Sequence, residues 1–473
     1  MNELAERVCT QVASSGTQYQ TTELTDEVEA ESLEARQRRS LRLPPHSYVT
    51  PANETNPLTC LLPDVRTIEH ATESLRWRGV RRPADPNCID IGDSIEAYAA
   101  FPTAYLATTE AAELYMKILS AVRFSLRLRN PCEIRYARFY WDQGDVMEGS
   151  QPPAFPDFLE SLVGLSIKLI GVSGAGRTAF LQRLRVAMGR PRYMKRMAGK
   201  GPVEMRFVPM LVVTWPDCST LSGLVENIGE ALMGELSSSK TRKDNFAYFR
   251  GKNGASAVIA ACIFLNLGLL VIDGGNRYAL RSEANEVMDF ISNFQRRSGI
   301  PVVVSGTYIF EMAFVKRGSK GSKFSTAHAA YFDAMPRPSP EGMSDRPTIW
   351  GQAIEWHWKL GHREMSVPCP RFLSTVVWDY AFGRAQQMCE ALDHLHHKIL
   401  LHPELLADGS LNEDYVRYEV ANRLRGFSET ARVLTTFRET KHLDRDDFLV
   451  HADHLPYEAF YVASTRKYLR GLT

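Results

Sequence analysis

Residues 171–178 read GVSGAGRT, which is the phosphate-binding loop pattern GxxxxGK[ST] with one substitution. Gly171, Gly176 and Thr178 stand where the pattern requires them, and Arg177 replaces the lysine. In such a loop the glycines let backbone N–H groups point at phosphate oxygens, and the following helix adds the positive end of its dipole. Gly171, Ser173, Gly174, Ala175, Gly176, Arg177 and Thr178 are therefore the candidate nucleotide-binding residues, with ATP as the expected ligand. Thr178 sits where a Mg2+ ligand belongs. A second piece, LLVID, ends in Asp273, the candidate to hold the Mg2+ water shell from the end of an adjacent strand. A third, VVVSGT, ends in Thr307, where a hydroxyl can touch the terminal phosphate or the attacking water. Asp273 and Thr307 are the candidate catalytic residues of the strands.

Two departures bear on activity. Arg177 keeps the positive charge but is planar and larger than lysine, so it either neutralises phosphate or fills the pocket itself. Gly274 follows Asp273 where many NTPases place a glutamate to polarise water, which implies weak or absent hydrolysis. Asn276 could orient a water, or be an ordinary turn asparagine.

The elements around these pieces alternate. Strands are expected at 166–172, 207–215, 267–273 and 300–307, and helices at 178–188, 221–236, 256–266 and 283–299, the last closed by Gly299. Continuous apolar strands alternating with helices imply a buried parallel sheet flanked by helices, an α/β fold. Upstream, Leu114, Met116, Ile118, Leu119, Val122 and Leu126 recur at helical spacing; Thr108 or Thr109 is the N-cap and Asn130-Pro131 the stop. Beyond about 345 the strands end, and 372–400 and 412–427 read as helices. The expected division is a polar N-terminal extension (1–100), a nucleotide-binding α/β core (101–345), a small helical domain (346–440) and a short charged tail (441–473).

The composition sets wide bounds. A net charge of +1 over 473 residues says nothing about partners. The eight cysteines form no CxxC or Cys/His ligand spacing and read as reduced thiols. No apolar run approaches the ~18 residues of a membrane span. The start, MNELAERVCTQV, lacks an apolar signal core. No membrane association is expected, and the expected location is the cytoplasm.

Together these stretches resemble the TnsC/TniB family of AAA+ transposition regulators, most of all the longer TnsC type. The resemblance runs over roughly residues 100–440 and rests on GVSGAGRT (171–178), LVVTWPDCST (211–220), LGLLVIDGGN (267–276) and GIPVVVSGT (299–307). LRLRNP (126–131) resembles the element that precedes the ATPase core in that family. The resemblance implies a bacterial AAA+ domain with a helical lid that binds ATP and Mg2+ between subunits. It further implies assembly of the protein with itself, as rings or filaments on double-stranded DNA. There the family links a target selector of the TniQ/TnsD type to a TnsB-type transposase, often with TnsA. VKRGSKGSKF (315–324) resembles the family's stretch with a trans-acting arginine finger, which makes Arg317 the candidate; a solvated loop charge is the other reading.

Other functions stay open: an ATPase of another P-loop class, such as a replication-initiator loader or a signalling NTPase, or a DNA scaffold whose loop is inherited. Basic residues cluster at 182–201 and at 239–254. The second cluster, with Lys240, Arg242, Lys243, Arg250 and Lys252 interleaved with Phe246, Tyr248 and Phe249, is the candidate DNA contact. Contacts of that kind reach phosphates without reading bases; a solvated surface or a subunit interface is the alternative. The histidines of DHLHHKILLH (393–402) read as a solvated helix face rather than a metal site, and Arg384 as a surface arginine or a second nucleotide sensor.

Overall fold

The computed structural model describes residues 56–77, 104–147, 150–162, 166–198, 201–236, 249, 253–315, 328–338, 348–361, 367–407, 409–462, 465 and 468. Its centre is a five-stranded sheet of β1 (Ser166–Gly171), β4 (Leu211–Thr214), β5 (Leu270–Gly275), β6 (Val302–Gly306) and β7 (His328–Phe332). Their order across the sheet is β4-β5-β6-β1-β7, and every pairing is parallel. β1 and β6 are buried from end to end because both faces are covered, while β7 at the edge leaves Tyr331 52 % exposed. The α/β class read from the sequence is the one observed.

One face packs on α1 (Ile68–Leu75), α2 (Thr109–Leu128) and α4 (Arg177–Met188). Thr108 caps α2 through a 3.2 Å hydrogen bond from Ala111 N to its Oγ1. The stripe Leu114, Ile118, Leu119, Val122 and Leu126 is buried as its spacing predicts. The other face carries α3 (Ile134–Met147), α5 (Leu221–Leu236), α6 (Gly254–Phe264), α7 (Ala284–Ser298) and α8 (Tyr308–Val315). A third apolar cluster is made by α9 (Ile349–Gly361), α10 (Leu373–Ala381), α11 (Ala385–Leu401) and α12 (Glu413–Arg423), with Trp350 and Trp358 inside it.

Several details differ from the sequence expectation. The apolar run at 207–215 is two strands, not one. Phe207 ends β3 (Gly201–Phe207), which pairs antiparallel with β2 (Arg192–Ala198), and β4 begins only at Leu211. Pro209 lies between them and has no N–H for a ladder. Segment 56–77, within the stretch expected to be a polar extension, buries Leu58, Leu62 and Leu75. The segment expected to trail as a charged tail also packs inward. α13 (Ser428–Thr440) and α14 (Arg445–His451) lead to short 3-10 turns, and Phe448, Leu455 and Phe460 join the core beneath the sheet. These anchors come in short apolar groups, such as Phe448-Leu449-Val450 and Phe460-Tyr461-Val462, too brief to show a helical period.

Two buried polar contacts lock helices to the sheet. Lys168 Nζ on β1 pairs with Glu311 Oε1 on α8 at 3.2 Å. Arg129, 1 % exposed, donates from Nε to Ser125 Oγ (2.8 Å) and from Nη2 to Leu267 O (3.0 Å). The LRLRNP element is thus a clamp between α2 and the start of the Asp273 strand segment. No helix of the described residues is long and apolar enough to cross a membrane.

Candidate nucleotide site

The loop after β1 turns through Gly174 (φ +81°) and Gly176 (φ +98°), both left-handed and open only to glycine at little cost. Gly171 is needed for another reason: a Cβ there would lie 1.9 Å from the carbonyl oxygen of Phe332 on β7. Gly176 is the N-cap of α4 and provides no side-chain cap. Among the described residues, the N–H groups of Gly174, Gly176, Arg177 and Thr178 have no hydrogen-bond partner. Unpaired amides at the start of a helix are an anion cradle. The loop therefore fits a phosphate chain.

The two residues expected at the cation also meet. Thr178 Oγ1 donates to Asp273 Oδ2 at 2.8 Å. The expectation of an adjacent strand is corrected here: β6 lies between β1 and β5. Thr178 stands on the first turn of α4, outside the sheet edge, and that offset lets it reach Asp273 across the intervening strand. A hydroxyl and a carboxylate at this distance suit one hard cation bridged to phosphates. Thr178 and Asp273 would hold Mg2+, and the free amides the phosphates.

Arg177 resolves the two alternatives left by its sequence. Its Nη1 donates to the carbonyl oxygens of Gly171 (2.6 Å) and Gly306. The guanidinium fills the floor between β1 and β6 instead of standing free in the loop. Burial pushes its pKa down to about 10, a fall opposed by the carboxylates of Asp273 and Asp453. Gly274 has φ +88°, a conformation that a glutamate would adopt only with strain. Asn276 caps the turn after β5, accepting from Tyr278 N at 2.9 Å, the ordinary turn role.

Thr307 lies at the tip of β6, and its partner comes from the C-terminal segment. Thr307 Oγ1 donates to Asp453 Oδ1 at 2.6 Å, and Arg277 N donates to the same oxygen at 3.2 Å. Ser173 N in the loop donates to Asp453 O at 2.9 Å. Asp453 belongs to the turn after α14, so the C-terminal segment closes over the loop. Burial raises the Asp453 pKa, and the Thr307 hydroxyl and Arg277 oppose that shift. No motif surrounds Asp453 in the sequence; only the lone apolar residues around it signal a buried turn.

Arg384 is 2 % exposed, which excludes the surface reading. Its Nη2 donates to His454 O at 2.7 Å, and burial lowers its pKa to about 10. Just after it, Gln386 N donates to Gly174 O at 3.0 Å, so the start of α11 rests on the loop. Together these elements enclose a cleft of about 1150 Å3 lined by the loop, Thr307, Asp453 and the first turn of α11.

The other candidates fall elsewhere. Arg317, Lys240, Arg242, Lys243, Arg250 and Lys252 lie outside the described residues. In the first basic cluster, Arg183 donates to Leu75 O at 3.1 Å and stacks over Trp77. The histidines of α11 diverge. His394 Nε2 lies 2.7 Å from Glu419 Oε2, while His397 Nδ1 lies 2.9 Å from Asp393 O. His396 is fully buried against Trp358, which corrects its reading as solvated. Among the described residues no group of three or more metal-ligating side chains gathers in one place.

No protein-family model matches the chain. No curated protein matches it. Among solved structures it is similar to a Walker-type ATPase of Pyrococcus abyssi, at 9% identity and TM-score 0.36, over 71% of this chain and 88% of that one. It is also similar to a structure of Drosophila ORC bound to DNA, at 15% identity and TM-score 0.32, over 67% of this chain and 84% of that one.

Proposed function

We propose that this chain is an AAA+ transposition regulator of the TnsC type, a nucleotide-binding protein that assembles with itself on duplex DNA. The observation that carries the nucleotide part is the 2.8 Å contact of Thr178 with Asp273 beside a loop of unpaired amides. An adenine nucleotide with Mg2+ is the fitting ligand: the amides of Gly174 to Thr178 take phosphates, and Thr178 with Asp273 takes the cation. When bound, the cation supplies charge neutralisation for the phosphates. Hydrolysis is slow in this reading, because Gly274 offers no base and Arg177 is engaged with two carbonyl oxygens.

The transposition part rests on the resemblance. Its motifs fall in order at the ends of β1, β4, β5 and β6, with PDCS in the turn after β4. There Trp215 Nε1 donates to Ser219 Oγ at 3.0 Å. On this reading the partners are double-stranded DNA, further copies of the chain, a TniQ/TnsD-type selector and a TnsB-type transposase with TnsA. Lys240, Arg242, Lys243, Arg250 and Lys252 are the proposed DNA contacts, and Arg317 the proposed finger reaching a neighbouring site. A nucleotide-independent DNA scaffold is the second reading, favoured by the internal engagement of Arg177.

The test is negative-stain microscopy of the purified protein on linear duplex DNA, without nucleotide and with ATP, ADP or a non-hydrolysable ATP analogue, alongside phosphate release. Rings or filaments that depend on nucleotide are the expected result. Identical assembly in every condition selects the scaffold. Absence of assembly on DNA in all of them removes the transposition reading.

A further inference from the structure

The lysine of a phosphate loop reaches the β- and γ-phosphates. Here the corresponding guanidinium lies on the carbonyl oxygens of Gly171 and Gly306, and Thr307, the residue expected to meet a terminal phosphate, follows Gly306 at the tip of β6 and marks the outer corner of the site. That corner already holds a carboxylate. Asp453 Oδ1 accepts from Thr307 Oγ1 (2.6 Å) and Arg277 N (3.2 Å). Its carbonyl oxygen accepts from Ser173 N in the loop (2.9 Å). The inner amides, of Gly174 and of Gly176 to Thr178, remain unpaired among the described residues.

We propose that Asp453 is a specificity-determining residue that occupies the terminal-phosphate corner, so that the closed site takes a nucleoside diphosphate in preference to a triphosphate. This rests on the nucleotide-site reading above and deepens it. A terminal phosphate entering the corner meets a carboxylate whose donors are spent. The carboxylates of Asp273 and Asp453 both act on the Arg177 charge, so it is already offset before a third anion arrives. A diphosphate leaves the corner alone and uses only the free inner amides and the Thr178–Asp273 pair.

The test is calorimetric titration of the full chain with ADP and with a non-hydrolysable ATP analogue, each with Mg2+, in wild type and Asp453→Asn. The wild type is expected to prefer ADP by about tenfold or more, and the near-isosteric Asp453→Asn to lose that preference, since like charges at contact distance repel strongly in a partly buried site. Asp453→Ser repeats the measurement should the amide not be accommodated, with thermal melts confirming the fold. Equal affinities in the wild type, or a preference unchanged in the variants, overturns the proposal. Binding of neither nucleotide to wild type or variant removes the nucleotide reading itself, an outcome distinct from an unchanged ratio.

Discussion

Thr178 and Asp273 are 95 positions apart in the chain, yet their oxygens meet at 2.8 Å across a strand that belongs to neither. β6 separates their strands and carries Thr307 at its tip, so three chemical pieces converge on one sheet end. A conservative change at either end of the contact separates ligand binding from folding. Asp273→Asn is expected to lower Mg2+-dependent nucleotide affinity at least about tenfold, in line with the loss of a ligand carboxylate. The denaturation midpoint should barely move, since the isosteric amide oxygen can still accept from the exposed Thr178 hydroxyl. Titration with and without Mg2+ checks this: an affinity insensitive to Mg2+ in the wild type would refute the pair as a cation site.

Arg177→Lys is expected to change the site in the opposite sense. Both carbonyl contacts come from the single nitrogen Nη1, whereas a lysine ammonium is a compact charge on a flexible stem that can swing toward phosphate. Freed from Gly306, it should raise affinity for the triphosphate. Arg177→Ala instead strands both carbonyl oxygens and should destabilise the fold by roughly 1–3 kcal/mol for each group left buried and unpaired. Urea denaturation of the two variants separates these effects.

Acid should loosen the helical cluster through His357. Burial lowers its pKa from 6.5 to about 4, with the ring 3 % exposed and its Nε2 3.7 Å from Cys389 Sγ. A histidine held neutral contributes its full share of stability above the unfolded value of 6.5 and loses it as pH falls toward about 4. The loss approaches roughly 3 kcal/mol at the acid end of that window. Denaturation at pH 7 and pH 5 should show the decline, and His357→Gln, uncharged at both, should flatten it. An acid slope unchanged in the variant would clear His357.

Arg129→Ala tests the clamp. Removing a fully buried guanidinium leaves Leu267 O without its partner and a void beneath α2. A loss of about 3–5 kcal/mol is expected. Arg129→Lys recovers little, since one ammonium does not reproduce the fork. Nucleotide affinity under folding conditions should stay near wild type. A large drop in affinity with unchanged stability would instead give LRLRNP a direct role at the site.

Much of this site could be read from the chain, and for a physical reason. GVSGAGRT, LLVID and VVVSGT each combine an apolar strand with a terminal polar residue, and a parallel sheet brings such ends together on one edge. The closing segment could not be read that way. Asp453 follows a seven-residue helix, α14, whose one apolar group, Phe448-Leu449-Val450, is too short to show a period, so neither periodicity nor spacing marks it. The hairpin of β2 and β3 was hidden by basic residues at 190–200, which read as a surface tract. The orientation of Arg177 was left open by its type alone, because either phosphate or backbone carbonyls can satisfy a guanidinium.

The turn that carries Asp453 is not a free flap. Ala452 on one side is 1 % exposed and Leu455 on the other 0 %, both within the main core. Moving the turn itself away from the corner therefore means lifting those two side chains from the core, a local unfolding step with its own rate. Access to the outer corner becomes a question of waiting time as much as affinity. A ligand that needs the corner would enter slowly and leave slowly, and a brief incubation would understate what the site holds at equilibrium.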